Sequence, residues 1–185
     1  MKKESKNILS IFIRYLILIL VGIPNLWIFY LIFTPLTVYP VFFILNLFFE
    51  ASLFGNLILL NKSFPIEIIK ACVAGSAYYL LLILNLSIPM EIKKRVKMLL
   101  FSFSSLLLLN ILRILLLSLL FASGASSFDI THKLFWYLGS TIFVVGIWFA
   151  GIKIFKVKEI PFYSDLKKLG FLKKTKKSKR SKKNK

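Results

Sequence analysis

The sequence predicts an all-α integral membrane protein, with about four transmembrane helices. A short interfacial helix and a small extracytoplasmic hairpin or flap are expected before the second main span. Three observations carry this. Apolar residues make up 58% of the chain and mean hydropathy is +0.80, whereas a soluble domain sits near half apolar or below. Four stretches approach the ~20 apolar residues a helix needs to cross a bilayer. Basic clusters stand at the ends of these stretches, where the positive-inside rule uses them to set orientation.

The first stretch is Tyr15 to Phe33, with Arg14 at its inner end and Gly22 and Pro24 placed to bend it. The Met1-Lys2-Lys3 start and the apolar run after it resemble a signal peptide. No small-residue cleavage site follows, however, and Leu26-Trp27-Ile28-Phe29 continues the run, so an uncleaved first helix is expected. Pro35 and Pro40 bracket a loop. Val41 to Phe49 is apolar, but nine residues at helical rise reach roughly 13 Å of a core about 30 Å thick. A short interfacial or re-entrant helix is expected there, in preference to a full helix over 41–61. Leu53 to Leu60 and Phe64 to Ile69 read as a hairpin or extended flap, with turn chemistry at Gly55-Asn56 and Asn61-Lys62-Ser63. The remaining spans are Ala71 to Ser87, Met98 to Phe121 and His132 to Phe155.

Charge sets the orientation. Lys2, Lys3, Lys6 and Arg14 place the N-terminus inside, and Lys93, Lys94, Arg95 and Lys97 place the loop before the third span inside. The net charge of +19 is uneven, since residues 153–185 hold 14 of the 26 Lys and Arg. The chain therefore divides into a transmembrane catalytic domain over 1–155 and a cytoplasmic polybasic tail over 156–185. Attraction of such a tail to anionic inner-leaflet lipid is worth about 1 kcal/mol per basic residue near the surface. The basic run from Lys167 to Lys185 holds a single aromatic, Phe171, and no folded reader, so no nucleic-acid partner is expected.

The chain has one cysteine, Cys72, and one histidine, His132. An intrachain disulfide is excluded. A zinc site wants four ligands and this pair falls short, so neither a metal nor a cofactor is expected. Cys72 and His132 fall at the outer ends of the second and fourth spans. Arg113 lies in the third, roughly 12 Å below its outer end at helical rise, and a long arginine can snorkel part of that distance. Asn110 stands three residues before Arg113 and shares its helix face. An arginine inside a span is expensive and by default marks a functional site. No span offers Arg113 an acidic partner, and Glu50 is the nearest candidate outside one. The chemistry follows from the groups. A thiolate is a nucleophile and a nearby cation favours it. His132 can take the thiol proton and return it to a leaving amine. Arg113, helped by Asn110, can stabilise an oxyanion. Together they describe acyl transfer through a thioester.

The run Ala71-Cys72-Val73-Ala74-Gly75, then Asn110-Ile111-Leu112-Arg113-Ile114, then His132 after a short loop, resembles the archaeosortase/exosortase family. Ile66-Glu67-Ile68-Ile69-Lys70 is similar to that family's approach to its cysteine. The resemblance covers about residues 50–140. The glycine here stands three places after Cys72, one further than in the commonest family pattern. The resemblance implies a membrane cysteine transpeptidase with Cys72 as nucleophile, Arg113 as transition-state stabiliser and His132 as acid/base. It implies secreted substrates that end in a short motif, one transmembrane helix and a basic cluster, and a lipid acceptor.

The rival from another class is a non-catalytic membrane scaffold or small transport component, with Arg113 on anionic lipid and Cys72 merely packed, as lone membrane cysteines often are. Serine chemistry is disfavoured, because Gly124-Ala125-Ser126-Ser127 is no G-x-S-x-G elbow. Aspartyl chemistry fails because no span holds two acids. Asp129 is near enough in sequence to orient His132. Gly75 with Ser76, and Gly139 with Gly146, are expected to allow close helix packing.

Overall fold

The computed structural model of the chain describes residues 2–22, 26–88, 90–135 and 139–157. It is mostly helical. Helix α1 spans Lys2–Gly22 and α2 spans Trp27–Asn46. A small sheet follows, with strands β1 (Ala51–Phe54), β2 (Leu57–Leu60) and β3 (Phe64–Glu67). A single turn, α3 (Lys70–Val73), leads into α4 (Gly75–Leu86). The long α5 (Ile92–Ala122), the short α6 (Phe128–Leu134) and α7 (Ser140–Ile154) complete the order. The polybasic tail lies beyond Val157, outside the described residues, as does Pro24.

The expected four spans are corrected. Among the described residues, two helices are long and apolar enough to cross a membrane, α2 and α5. The apolar stretches Phe12–Gly22, Lys70–Leu86 and Ser140–Ile154 are shorter. The first expected span divides because Leu26 adopts a left-handed conformation (φ 59°, ψ 20°) that no helix can pass through. The interfacial helix expected over Val41 to Phe49 does not exist as a separate element, because residues 41–46 are the last turns of α2. Pro35 and Pro40 lie inside that helix rather than at its ends. Proline removes one backbone hydrogen bond, but packing compensates. Phe29, Phe33, Thr37, Val41 and Leu45 recur every four residues and form the buried stripe of α2. Prolines inside apolar helices are tolerated when neighbours hold the chain. The fold is also not all-α, since the flap is a three-stranded antiparallel sheet in the order β1-β2-β3. Its two turns fall at the expected places, with positive φ at Gly55 and at Asn61 and Lys62.

Helix α5 carries a matching stripe: Met98, Ser102, Leu106, Asn110, Ile114 and Ser118 are buried. Between the stripes of α2 and α5 sits Tyr78 of α4, fully buried. Its ring stacks on Phe33 at 3.7 Å and meets Phe103 edge-on at 5.7 Å. Helix α1 runs antiparallel to α4. Arg14 Nη1 donates to the Leu86 carbonyl (2.9 Å), and Tyr79 Oη donates to the Leu18 carbonyl (3.0 Å). At the far end of α2, the Ala51 N–H donates to Asn46 Oδ1 (3.2 Å), which seats the sheet. Phe64 of β3 packs edge-on against Phe121, near the C-terminus of α5. The sheet therefore caps one end of the bundle.

The opposite end is held by basic side chains on helix-end carbonyls. Arg95 Nη2 donates to Ile88 O (3.0 Å) and Lys94 Nζ to Lys156 O (3.2 Å), beside the Arg14–Leu86 bond. Helix C-termini leave such carbonyls unpaired and carry partial negative charge, so cations satisfy both demands. Close packing falls partly where expected. A Cβ on Gly75 would meet the Tyr30 ring at 2.7 Å, but Ser76 is exposed and nothing approaches Gly146. On α7 it is Gly151 that faces Met98 instead.

Candidate active site

Strand β3 delivers the chain to Cys72. Ile69 is still extended (φ −78°, ψ 166°), and one helical turn follows before Ala74 enters the left-handed region (φ 60°, ψ 43°). For a residue with a Cβ that conformation costs roughly 1–2 kcal/mol. The break has a second consequence. Helical continuation would have occupied the carbonyls of Cys72 and Val73 four residues later; interrupted, they need other donors. Asn110 Nδ2 donates to Cys72 O at 2.7 Å and lies 3.5 Å from Val73 O. Arg113 Nη2 donates to the same Cys72 carbonyl at 3.3 Å, while Nη1 donates to Ser140 Oγ at 3.3 Å. The guanidinium is thus oriented by the backbone of the cysteine.

His132 reaches the same place from another side. It sits on α6, not at the start of a fourth span as expected, because the helix begins earlier, at Phe128. Its imidazole stacks on Phe128 at 5.6 Å, nearly parallel at 4°. Cys72, Arg113 and His132 all line one open cavity of about 200 Å³. Pro65, Ile66 and Glu67 of β3, with the following Ile68, form one wall, and α5 contributes Ile114, Leu117, Ser118 and Phe121. Arg113 and Ser118 are both buried, at 9% and 3% exposure. Arg113 Nε and Ser118 Oγ have no hydrogen-bond partner among the described residues. The site therefore holds a thiol, an imidazole and buried donors around a space with mostly apolar walls.

Asn110 is not brought to the cavity wall. Its amide is spent on the helix junction, so it positions the cysteine rather than facing a reacting oxygen. Glu50 is exposed on the turn before β1 and does not line the cavity, and the same holds for Asp129 on α6. Ser118 and Ser140 were not singled out by sequence, and Glu67 entered only within the run that approaches Cys72. Their signals were faint: the alternation along β3, the four-residue stripe of α5, and one hydroxyl at the head of an apolar helix. Compared with known family models, curated proteins and solved structures, the chain matches none.

Proposed function

We propose that the protein is a membrane-embedded cysteine protease/transpeptidase. It cleaves C-terminal sorting signals of secreted proteins through a Cys72 thioester and transfers them to an acceptor, which by the archaeosortase/exosortase resemblance is a membrane lipid. The observation that carries this reading is the convergence of Cys72, Arg113 and His132 on one cavity from three separate elements. The Cys72 sulfur attacks the scissile carbonyl carbon as His132 takes the thiol proton. The carbonyl electron pair moves to oxygen, where Arg113 stabilises the charge. Collapse breaks the C–N bond, and His132 gives its proton to the leaving amine. An acceptor amine then attacks the thioester, His132 takes its proton, and the C–S bond breaks as His132 returns that proton to the Cys72 sulfur.

The proposed setting is the cell membrane, with α1 and α2 acting together as one bent crossing. Both termini then lie in the cytoplasm and the site faces outward. Supporting this, the basic residues Lys93, Lys94, Arg95 and Lys97 open α5, whereas the cavity residues Arg113 to Phe121 stand near its other end. The outward faces of α2 and α5 are apolar, with Trp27, Leu31, Phe43, Leu108 and Leu112 exposed, a surface suited to lipid rather than water. The test is Cys72→Ala beside Cys72→Ser in cells carrying a tailed substrate. Both variants should abolish processing while the protein accumulates normally. Unchanged processing would leave the scaffold reading, in which Arg113 holds anionic lipid.

A further inference from the structure

The cavity meets β3 along its edge, not on a face. Four consecutive residues, Pro65 to Ile68, line it. Successive residues of a strand point to opposite faces, so a cavity that touches all four looks at the strand side-on. In the order β1-β2-β3, β3 has one strand neighbour, and its other edge pairs with no strand among the described residues. The register states which backbone groups that edge presents. The Ile68 N–H donates to Asn56 O (2.9 Å), and Ile66 pairs with Ile58 and Phe64 with Leu60. On the other side of β2, the Asn61 N–H donates to Glu50 O (2.8 Å), so β2 turns its odd residues to β1 and its even residues to β3. The backbone of residues 64, 66 and 68 is thus used within the sheet. The Pro65 carbonyl and the Glu67 N–H and carbonyl face outward. Proline sits where a strand tolerates it, with its missing N–H on the open side.

From this we infer that the open edge of β3 captures the substrate as an added strand. The occupant is an extended polypeptide segment, the acyl portion N-terminal to the bond cut at Cys72. Two acceptors and one donor at strand spacing match the backbone of any extended peptide. Alternate amides of the bound segment pair with β3 while the others do not. The inference rests on the cysteine-nucleophile reading. It adds that affinity comes from main-chain pairing and that side-chain selectivity comes from the apolar walls at Ile66, Phe121 and Phe128. A segment so held stays aligned between the two half-reactions, when only its thioester anchors it.

The test compares alkylation of the full-length, detergent-solubilised protein by two reagents. One is iodoacetamide. The other is acetyl-pentaalanyl chloromethyl ketone, with two isomers that carry N-methyl groups on the odd or on the even amides. Cys72 is the sole cysteine, so thiol labelling reports on it alone, and intact mass gives the rate. The parent ketone should outpace its more weakly pairing isomer by about tenfold, the size of one to two lost hydrogen bonds. The other isomer should behave as the parent. Glu67→Pro, which deletes the central edge N–H, should slow the ketone and not iodoacetamide. If both isomers equal the parent, or Glu67→Pro slows both reagents alike, edge capture is wrong although the nucleophile stands. If neither reagent modifies Cys72, the nucleophile reading fails and this inference falls with it. Should Glu67→Pro not fold, the isomer pair alone decides.

Discussion

At the scale of single residues, the site rests on Arg113 being a fork rather than a point charge. One arm holds Ser140, the other the Cys72 carbonyl, and Nε is buried without a hydrogen-bond partner among the described residues. Lysine keeps the charge but cannot make these contacts together. Arg113→Lys is therefore expected to reduce substrate processing by roughly 10²–10³-fold, the loss typical of one oxyanion donor. Circular dichroism of the purified variant should remain that of the wild type. Near-normal processing would remove Arg113 from the chemistry. The residues of this site were legible in sequence to the extent that their chemistry is rare in the chain. One cysteine, one histidine and one arginine deep in an apolar run identify themselves. The places of Glu67 and Ser118 in the site were not legible, because glutamate in a flap and serine in a helix are ordinary until register and helix face are known. Asn110 was legible as a polar residue on the face of Arg113. Its actual duty, holding carbonyls freed by a helix break, depends on a break that composition does not announce.

At the scale of elements, the decisive joint is α3–α4. Ala74 is left-handed with φ 60°, and Gly75 lies against Tyr30. The two neighbours should respond in opposite ways to exchange of their side chains. Ala74→Gly removes the Cβ from a left-handed position and should raise stability by about 0.5–1 kcal/mol, net of glycine's extra chain entropy. Gly75→Ala drives a methyl into the Tyr30 ring and should lower stability by about 1–3 kcal/mol. Thermal unfolding in one detergent, followed by circular dichroism, measures both. Two shifts of the same sign would mean that the break lies elsewhere. The elements legible in sequence were those whose signals do not depend on solvent. Glycine and asparagine turns placed the flap correctly, and the apolar length of α5 placed its span. Helix α2 was misread because Pro35 and Pro40 were given the weight they have in water. An apolar environment with a packed four-residue stripe holds the helix through both.

At the scale of the whole molecule, one axis organises the chain. Basic side chains cap helix-end carbonyls at one end, and the sheet closes the other above the Cys72 cavity. From Lys97 to Arg113 along α5 is roughly 24 Å at helical rise. That is most of the ~30 Å thickness of a hydrocarbon core, so the proposed membrane setting puts the two ends on opposite sides of a bilayer. In the proposed orientation, which follows the positive-inside rule, the basic end is the cytoplasmic one. In a Cys72→Ala background, single cysteines at the exposed positions Ser126 and Lys93 test this without any dependence on access to the cavity. A membrane-impermeant maleimide added to intact cells should label Ser126→Cys directly, and Lys93→Cys only after permeabilisation. Native Cys72 should follow Ser126→Cys, more slowly because it is half-buried. The reverse order would invert the orientation and place the cavity in the cytoplasm, where a substrate already exported could not reach it. Equal labelling of both positions in intact cells would mean that α5 does not separate them across a bilayer, and the proposal of a membrane-embedded enzyme would fail with the orientation.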